Sequence, residues 1–184
     1  RMDLMVLHAD DRLAVVNKPA GLMVHDSALA RGETDFAADR LRAQFDRPIF
    51  LVHRLDRATS GCLLLAFDHE TASALGKMIM SSGAERVFEK AAFQKNYLAI
   101  CRGWPEEHFV VDHPLDGGPG KPVKKPALTR FTRLATTELE LPSTGFATSR
   151  YALLRAQTES DRFRQIRHHL KHVSLSLIRH SSQA

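Results

Sequence analysis

The segment HRLDRATSG, residues 53–61, sets one carboxylate between two guanidinium side chains, Arg54 and Arg57, and follows it with Thr59, Ser60 and Gly61. An aspartate has an ordinary pKa near ~3.9, so at neutral pH Asp56 is already an anion and needs no base to act as a nucleophile. It needs orientation. A neighbouring arginine keeps a carboxylate ionised even where burial opposes this, and a guanidinium can hold one oxygen while leaving the other free. Threonine, serine and glycine supply turn chemistry, which puts Asp56 on a loop at a sheet edge just before the apolar run GCLLLAF. The plainer alternative is an aspartate that caps the turn and pairs with Arg54 or Arg57.

Two further clusters invite a chemical reading. DGGPGKPVKK, residues 116–125, looks like a phosphate-binding loop, but Leu115 stands where the first glycine is required and Pro122 follows the lysine, so an ATP site is excluded. What remains is either a flexible connector or a loop whose Lys121, Lys124 and Lys125 touch phosphates. In RFRQIRHHLKHV, residues 162–173, His168, His169 and His172 resemble a metal cluster, yet their neighbours are Arg164, Arg167 and Lys171. Cations repel a metal ion, and no carboxylate accompanies the histidines. On a helical wheel Phe163, Ile166, Leu170 and Val173 form an apolar stripe, with Arg164, Arg167, His168, Lys171 and His172 fanned across the adjoining face. That face is either solvated or turned to a polyanion, with Arg167 at the apolar edge pointing into a site.

The elements that must position these residues alternate between strand and helix. LMVLHAD and RLAVVNKPAGLMVH read as a hairpin-like pair of short strands, with Pro19 and Gly21 turning the chain after Lys18. TDFAADRLRAQF carries Phe36, Ala37, Leu41 and Phe45 at helical spacing, with Thr34 as the N-cap. GCLLLAF suits a buried central strand. A helix is expected over ETASALGKMIMSS, broken at Gly83, and a second helical stretch through Glu85 to Phe93. NYLAICRGW, HFVVDHPL, ALTRFTRLATTEL and SRYALLRAQTE follow as strands, and RFRQIRHHLKHV as the last helix. Adjacent antiparallel strands with intervening helices predict an α+β domain, a mixed and largely antiparallel sheet flanked by helices, rather than a doubly wound one. Its 184 residues suit a single domain over 1–184.

Composition narrows the partners. Apolar residues make up 43% and charged residues 26%, which are globular values. No apolar run approaches the ~20 residues of a membrane span, and RMDLMVLHAD lacks a signal-peptide core, so a cytoplasmic protein without membrane partners is expected. Cys62 and Cys101 lie in apolar strand-like runs without CxxC spacing and read as reduced core residues. Residues 1–75 carry 9 Lys and Arg against 11 Asp and Glu, a net −2, whereas residues 76–184 carry 17 against 10, a net +7. The second part is the basic one. Such clustering fits either a solvated surface or a polyanion whose counterions it releases.

The chain resembles the RluA-type pseudouridine synthases over most of its length. DDRLAVVNKPAGLMVH is similar to that family's opening strand pair with its lysine-proline-x-glycine turn, HRLDRATSGCLLL to its catalytic motif and KNYLAICRGW to its tyrosine-bearing strand. KKPALTRF and RFRQIRHHLKH follow in the same order. LPSTGFATSRYALL and QIRHHLKH look most like the TruC branch, whose substrate is a tRNA uridine in the T-stem region. The resemblance implies the pseudouridine synthase fold and an RNA partner, tRNA first and ribosomal RNA as the alternative. It implies an isomerisation with no cofactor and no metal. Asp56 matches the aspartate that forms an adduct while the uracil glycosidic bond breaks and the base reattaches through carbon 5. Tyr97 matches the tyrosine that stacks on the target base, Arg167 the basic residue paired with the aspartate, and Arg54 the arginine that fills the space of the flipped nucleotide. Arg57, Lys121, Lys124, Lys125, Arg164, His168 and Lys171 are expected to contact RNA.

Departures from that pattern are equally visible. The family places a glycine where Asp161 stands and a histidine where Arg164 stands, and its members continue into further strands beyond SLSLIRHSSQA. The catalytic motifs begin close to residue 1, so no N-terminal RNA-binding module is expected. These features predict a fold incomplete at its C-terminus, with an exposed sheet edge open to self-association. They leave room for a noncatalytic RNA-binding scaffold. A carboxylate-dependent hydrolase is the third reading, but it needs a second carboxyl near Asp56 and the matched motifs offer none.

Overall fold

A computed structural model of the chain describes residues 2–27, 30–82 and 93–178. The chain divides into two compact units, the first carried by Arg1–Met80 and the second by Ser81–His180.

In the first unit β1 (Met5–Ala9) and β2 (Leu13–Lys18) form the expected antiparallel hairpin, α1 spans Ala37–Phe45, β3 is the two-residue Phe50–Leu51, β4 is Gly61–Ala66 and α2 is His69–Ser82. The sheet order is β1-β2-β4-β3, antiparallel throughout. β4 is central, as its apolar run predicts, but its burial is uneven: Leu63 and Leu65 are sealed while Cys62 is exposed. The expectation of two buried cysteines is therefore corrected: Cys62 lies in the opposite phase from Leu63 and Leu65, and the cover of that phase is complete at Ala66, partial at Leu64 and lost at Cys62. Ala14 and Val16 of β2 lie in register with Leu65 and Leu63 on the packed face and are completely buried, as is Leu41 of α1.

The start of α1 is a second correction. Its N-cap is Phe36, with no side-chain cap, and not Thr34. Met23 and Phe36 form a parallel bridge, and the first helical N–H groups of Ala37 and Ala38 donate to the carbonyls of Met23 and Val24 at 2.8 and 2.9 Å. Backbone carbonyls satisfy the orphan donors that a hydroxyl would otherwise meet.

The second unit is a five-stranded antiparallel sheet, β6-β7-β8-β5-β9, built from β5 (Lys95–Arg102), β6 (His108–Asp112), β7 (Leu128–Leu139), β8 (Ser149–Thr158) and the short β9 (Ser176–Leu177). α3 (Gln165–His172) packs on it. The core joins Cys101, Val111, Phe131, Ala152, Leu154, Ala156 and Leu170, with Phe109 stacked on Phe131 at 4.7 Å and Ile166 against the same cluster. Ile166 and Leu170 are thus the working part of the apolar stripe; Phe163 precedes the helix and Val173 is 39% exposed. The helical stretch expected through Glu85 to Phe93 falls almost entirely outside the described residues. Among those described, no helix is long and apolar enough to cross a membrane.

Candidate active site

Asp56 stands exposed on the loop between β3 and β4, in a turn closed by the N–H of Thr59 donating to its carbonyl at 3.0 Å. Arg54 and Arg57 flank it on the surface while Leu55 between them is buried. The guanidinium of Arg57 forms an ion pair with Glu33, so the carboxylate that Arg57 holds is not that of Asp56.

The loop is secured from below by a residue the motif reading passed over. Ala14, Val16 and Lys18 share the buried phase of β2, and Lys18 is completely buried. Its ammonium donates to the carbonyls of Leu22 at 2.7 Å, Pro19 at 2.9 Å and Arg57 at 3.2 Å. Three donors meet three acceptors. Burial pulls the Lys18 pKa down to about 8, with the negative charge of Asp56 acting the other way. Gly21, at φ +91°, donates its N–H to the same Arg57 carbonyl at 2.7 Å, so the lysine-proline-x-glycine turn and the Asp56 loop are tied at one atom. The sequence signal for Lys18 was its alternation with Ala14 and Val16, which places a lysine where an apolar residue belongs.

The remaining candidates lie in the second unit. Tyr97 is half-buried on β5, in register with Ala156 of β8 and packed against the core. Arg167 is half-buried on α3. The entry of α3 is fixed by Gln165, whose side chain accepts from Ser160 and from the N–H of Arg162 and donates to the Leu128 carbonyl and to Thr129. His169 is completely buried and uses both ring nitrogens: Nδ1 meets the Thr129 hydroxyl at 2.7 Å and Nε2 donates to the carbonyl of His113 at 2.8 Å. Burial holds its pKa below the ordinary histidine value. With both nitrogens so engaged, His169 offers no lone pair to a metal, and no group of three or more His, Cys, Asp and Glu among the described residues could share one.

The lysine loop is a folded turn. The Gly117 N–H donates to the Lys121 carbonyl at 2.9 Å and Leu115 bridges Lys125. Gly118 lies against Phe163, whose ring would be 2.8 Å from any Cβ placed there. The His113 and His172 rings stack at 3.8 Å. These contacts bring exposed Lys121, Lys124 and Lys125 beside the segment that carries Arg164, His168 and Lys171. Arg164, at the N-cap with φ 48°, lies over the Phe163 ring at 4.9 Å. The Asp161 departure is answered locally: its carboxylate pairs with Lys95, two residues before Tyr97, at 2.9 Å.

Residues 12–172 match the family described as RNA pseudouridylate synthase. The chain is 37% identical over 180 residues to the tRNA pseudouridine synthase C of Haemophilus ducreyi, covering 94% of this chain and 70% of that protein. It is 37% identical over 179 residues to the Vibrio cholerae protein of the same name, covering 92% and 70%, and 35% identical over 184 residues to that of Salmonella typhimurium, covering 95% and 67%. Among solved structures, Human RNA Pseudouridylate Synthase Domain Containing 4 superposes with a TM-score of 0.68 at 25% identity, over 94% of this chain and 66% of that one. Human RNA Pseudouridylate Synthase Domain Containing 1 gives 0.66 at 22% identity, over 96% and 67%, a likeness of fold.

Proposed function

Because the chain belongs to the RNA pseudouridylate synthase family, we propose that it isomerises a specific uridine of tRNA to pseudouridine, with Asp56 as the attacking carboxylate. The observation that carries this reading is the Asp56 loop: an exposed carboxylate on a turn pinned just behind it, where Lys18 and Gly21 both hold the Arg57 carbonyl. The like-named relatives supply the substrate class, tRNA.

The chemistry is atom-balanced. The bond from the ribose to N1 of uracil breaks while Asp56 is held in its adduct, the base turns while it stays held, and the adduct bond breaks to return free Asp56 as a bond from the ribose to carbon 5 forms, carbon 5 giving up its hydrogen and N1 taking one. No electrons are gained or lost. Extruding the nucleotide costs a few kcal/mol, and stacking on Tyr97 returns ~1–3 kcal/mol. Arg167 takes the role of the family's basic residue, and Arg54, exposed on the Asp56 loop, fills the vacated stack. Arg57, Lys121, Lys124, Lys125, Arg164, His168 and Lys171 meet the phosphate backbone. The protein works in the cytoplasm, where bacterial tRNA is modified.

The test is release of tritium from carbon 5 of labelled uridine in an unmodified tRNA transcript, comparing the chain with Asp56→Ala. Turnover is expected to fall by at least ~10³-fold, the scale of losing a nucleophile. RNA affinity should stay within about twofold or rise, since removing an anion does not weaken attraction to phosphates. Turnover that survives in Asp56→Ala overturns the assignment.

A further inference from the structure

β3 stops after two residues although its partner β4 runs on. Phe50 and Leu51 pair with Ala66 and Leu65, and one more step of that register would set Val52 opposite Leu64. Val52 has already left the strand. Leu64 donates its N–H instead to Nε2 of His53 at 2.9 Å. A strand that loses its neighbour leaves a backbone donor which must find another acceptor. The imidazole takes the place of the missing strand, and the chain is released from the sheet at the point where the Asp56 loop begins.

His53 thereby fixes the loop ahead of Asp56, as the Arg57 carbonyl, held by Lys18 and Gly21, fixes it behind. Leu55 is buried between the two anchors, and the exposed residues that remain are Arg54 and Asp56. An Nε2 that accepts a hydrogen bond is unprotonated, so neutral His53 carries its proton on Nδ1.

We propose that His53 is a positioning residue of the isomerisation: its Nε2 caps the open edge of β4 and so sets where the Asp56 carboxylate stands. The inference rests on Asp56 being the reacting group. Displacing a reactive group by about an ångström costs on the order of 10²-fold in rate, whereas RNA contacts made elsewhere are untouched by it.

The experiment compares wild type, His53→Phe and His53→Gln on the tritiated tRNA transcript, with thermal unfolding followed in parallel. Phenylalanine fills the volume without an acceptor; the glutamine Oε1 reaches the place of Nε2. His53→Phe is expected to lower kcat by about 100-fold with KM within about twofold, and His53→Gln to return kcat to within about tenfold of wild type. A His53→Phe kcat within about threefold of wild type, or a glutamine variant as impaired as the phenylalanine one, overturns the proposal. Nitrogen-15 NMR of the labelled protein reads the geometry without activity: an unprotonated Nε2 is expected, and a proton on Nε2 overturns it even where His53→Phe does not fold. Absence of turnover by the wild type would instead overturn the uridine reading, with the NMR result still deciding whether His53 caps β4.

Discussion

Lys18 in the first unit and His169 in the second are both completely buried, and each holds the carbonyl that opens or closes a loop bearing candidate functional residues. Lys18 grips the Arg57 carbonyl beside Asp56, and His169 grips the His113 carbonyl where the lysine loop starts. The two joints differ in charge. Burial lowers the pKa of both, but Lys18, at about 8, is still a cation at neutral pH, whereas His169, held below 6.5, is neutral there. The carboxylate loop is therefore anchored by a desolvated charge, which is costly to keep. The lysine loop is anchored by a neutral ring that costs little. A sheet can hold an outlying loop with either, but only the first places a positive charge beneath the anion it supports.

Removing the joints is the strongest way to break this comparison. His169→Ala deletes a buried ring and its two hydrogen bonds and leaves the Thr129 hydroxyl without that partner; the expected loss is about 3–4 kcal/mol in denaturant unfolding. Lys18→Met keeps the length and removes the charge. Three carbonyls lose their donor, yet the desolvation cost disappears with them, so the expected loss is smaller, about 1–2 kcal/mol. Equal losses in the two variants would show that the charge on Lys18 costs nothing and that the joints are equivalent.

The pH dependence sharpens the same contrast, with smaller effects. For a base whose pKa is lower folded than unfolded, the unfolded chain binds more protons between the two values, and stability rises with pH across that window. For Lys18 the window runs from about 8 to the ordinary 10.5. Wild type should therefore gain stability relative to Lys18→Met as pH rises from 8 to 10.5. For His169 the window lies below 6.5, and stability should drop relative to His169→Ala as pH falls through it. Unfolding curves that show no such divergence would remove the distinction.

These joints also mark where the sequence stops being informative. The seven longer strands, the three described helices and the exposed Asp56 loop follow from short-range patterns: period-two alternation, 3.6-residue spacing and the threonine-serine-glycine turn; the two-residue β3 and β9 do not. Lys18 was visible as a lysine in a buried phase, but nothing near it announces the Arg57 carbonyl 39 residues away. His169 reads as one of three clustered histidines until Thr129, 40 residues distant, meets its ring. Thr34 satisfies the local rule for a helix cap and is overruled by the Met23 and Val24 carbonyls. Cys62 follows the apolar run and fails because no described residue covers its end of that strand face, although Ala66 on the same face is sealed. In each case a long-range partner, or its absence, decided a position that local chemistry left open.

The smallest expected effect separates the two loops by function. The loop held by Lys18 presents a carboxylate, whereas the loop held by His169 presents exposed Lys121, Lys124 and Lys125. If the first reacts and the second binds, Lys124→Ala combined with Lys125→Ala should weaken RNA affinity several-fold and leave kcat unchanged, the reverse of Asp56→Ala. Each lysine that neutralises a phosphate contributes ~0.7–0.9 to the slope of log affinity against log salt, so the double variant should flatten that slope by about 1.5. The slope decides more than the affinity does, because a loosened turn can lower affinity while every phosphate contact persists. An unchanged slope would mean that the lysines face solvent and that His169 secures a loop for the sake of the fold alone.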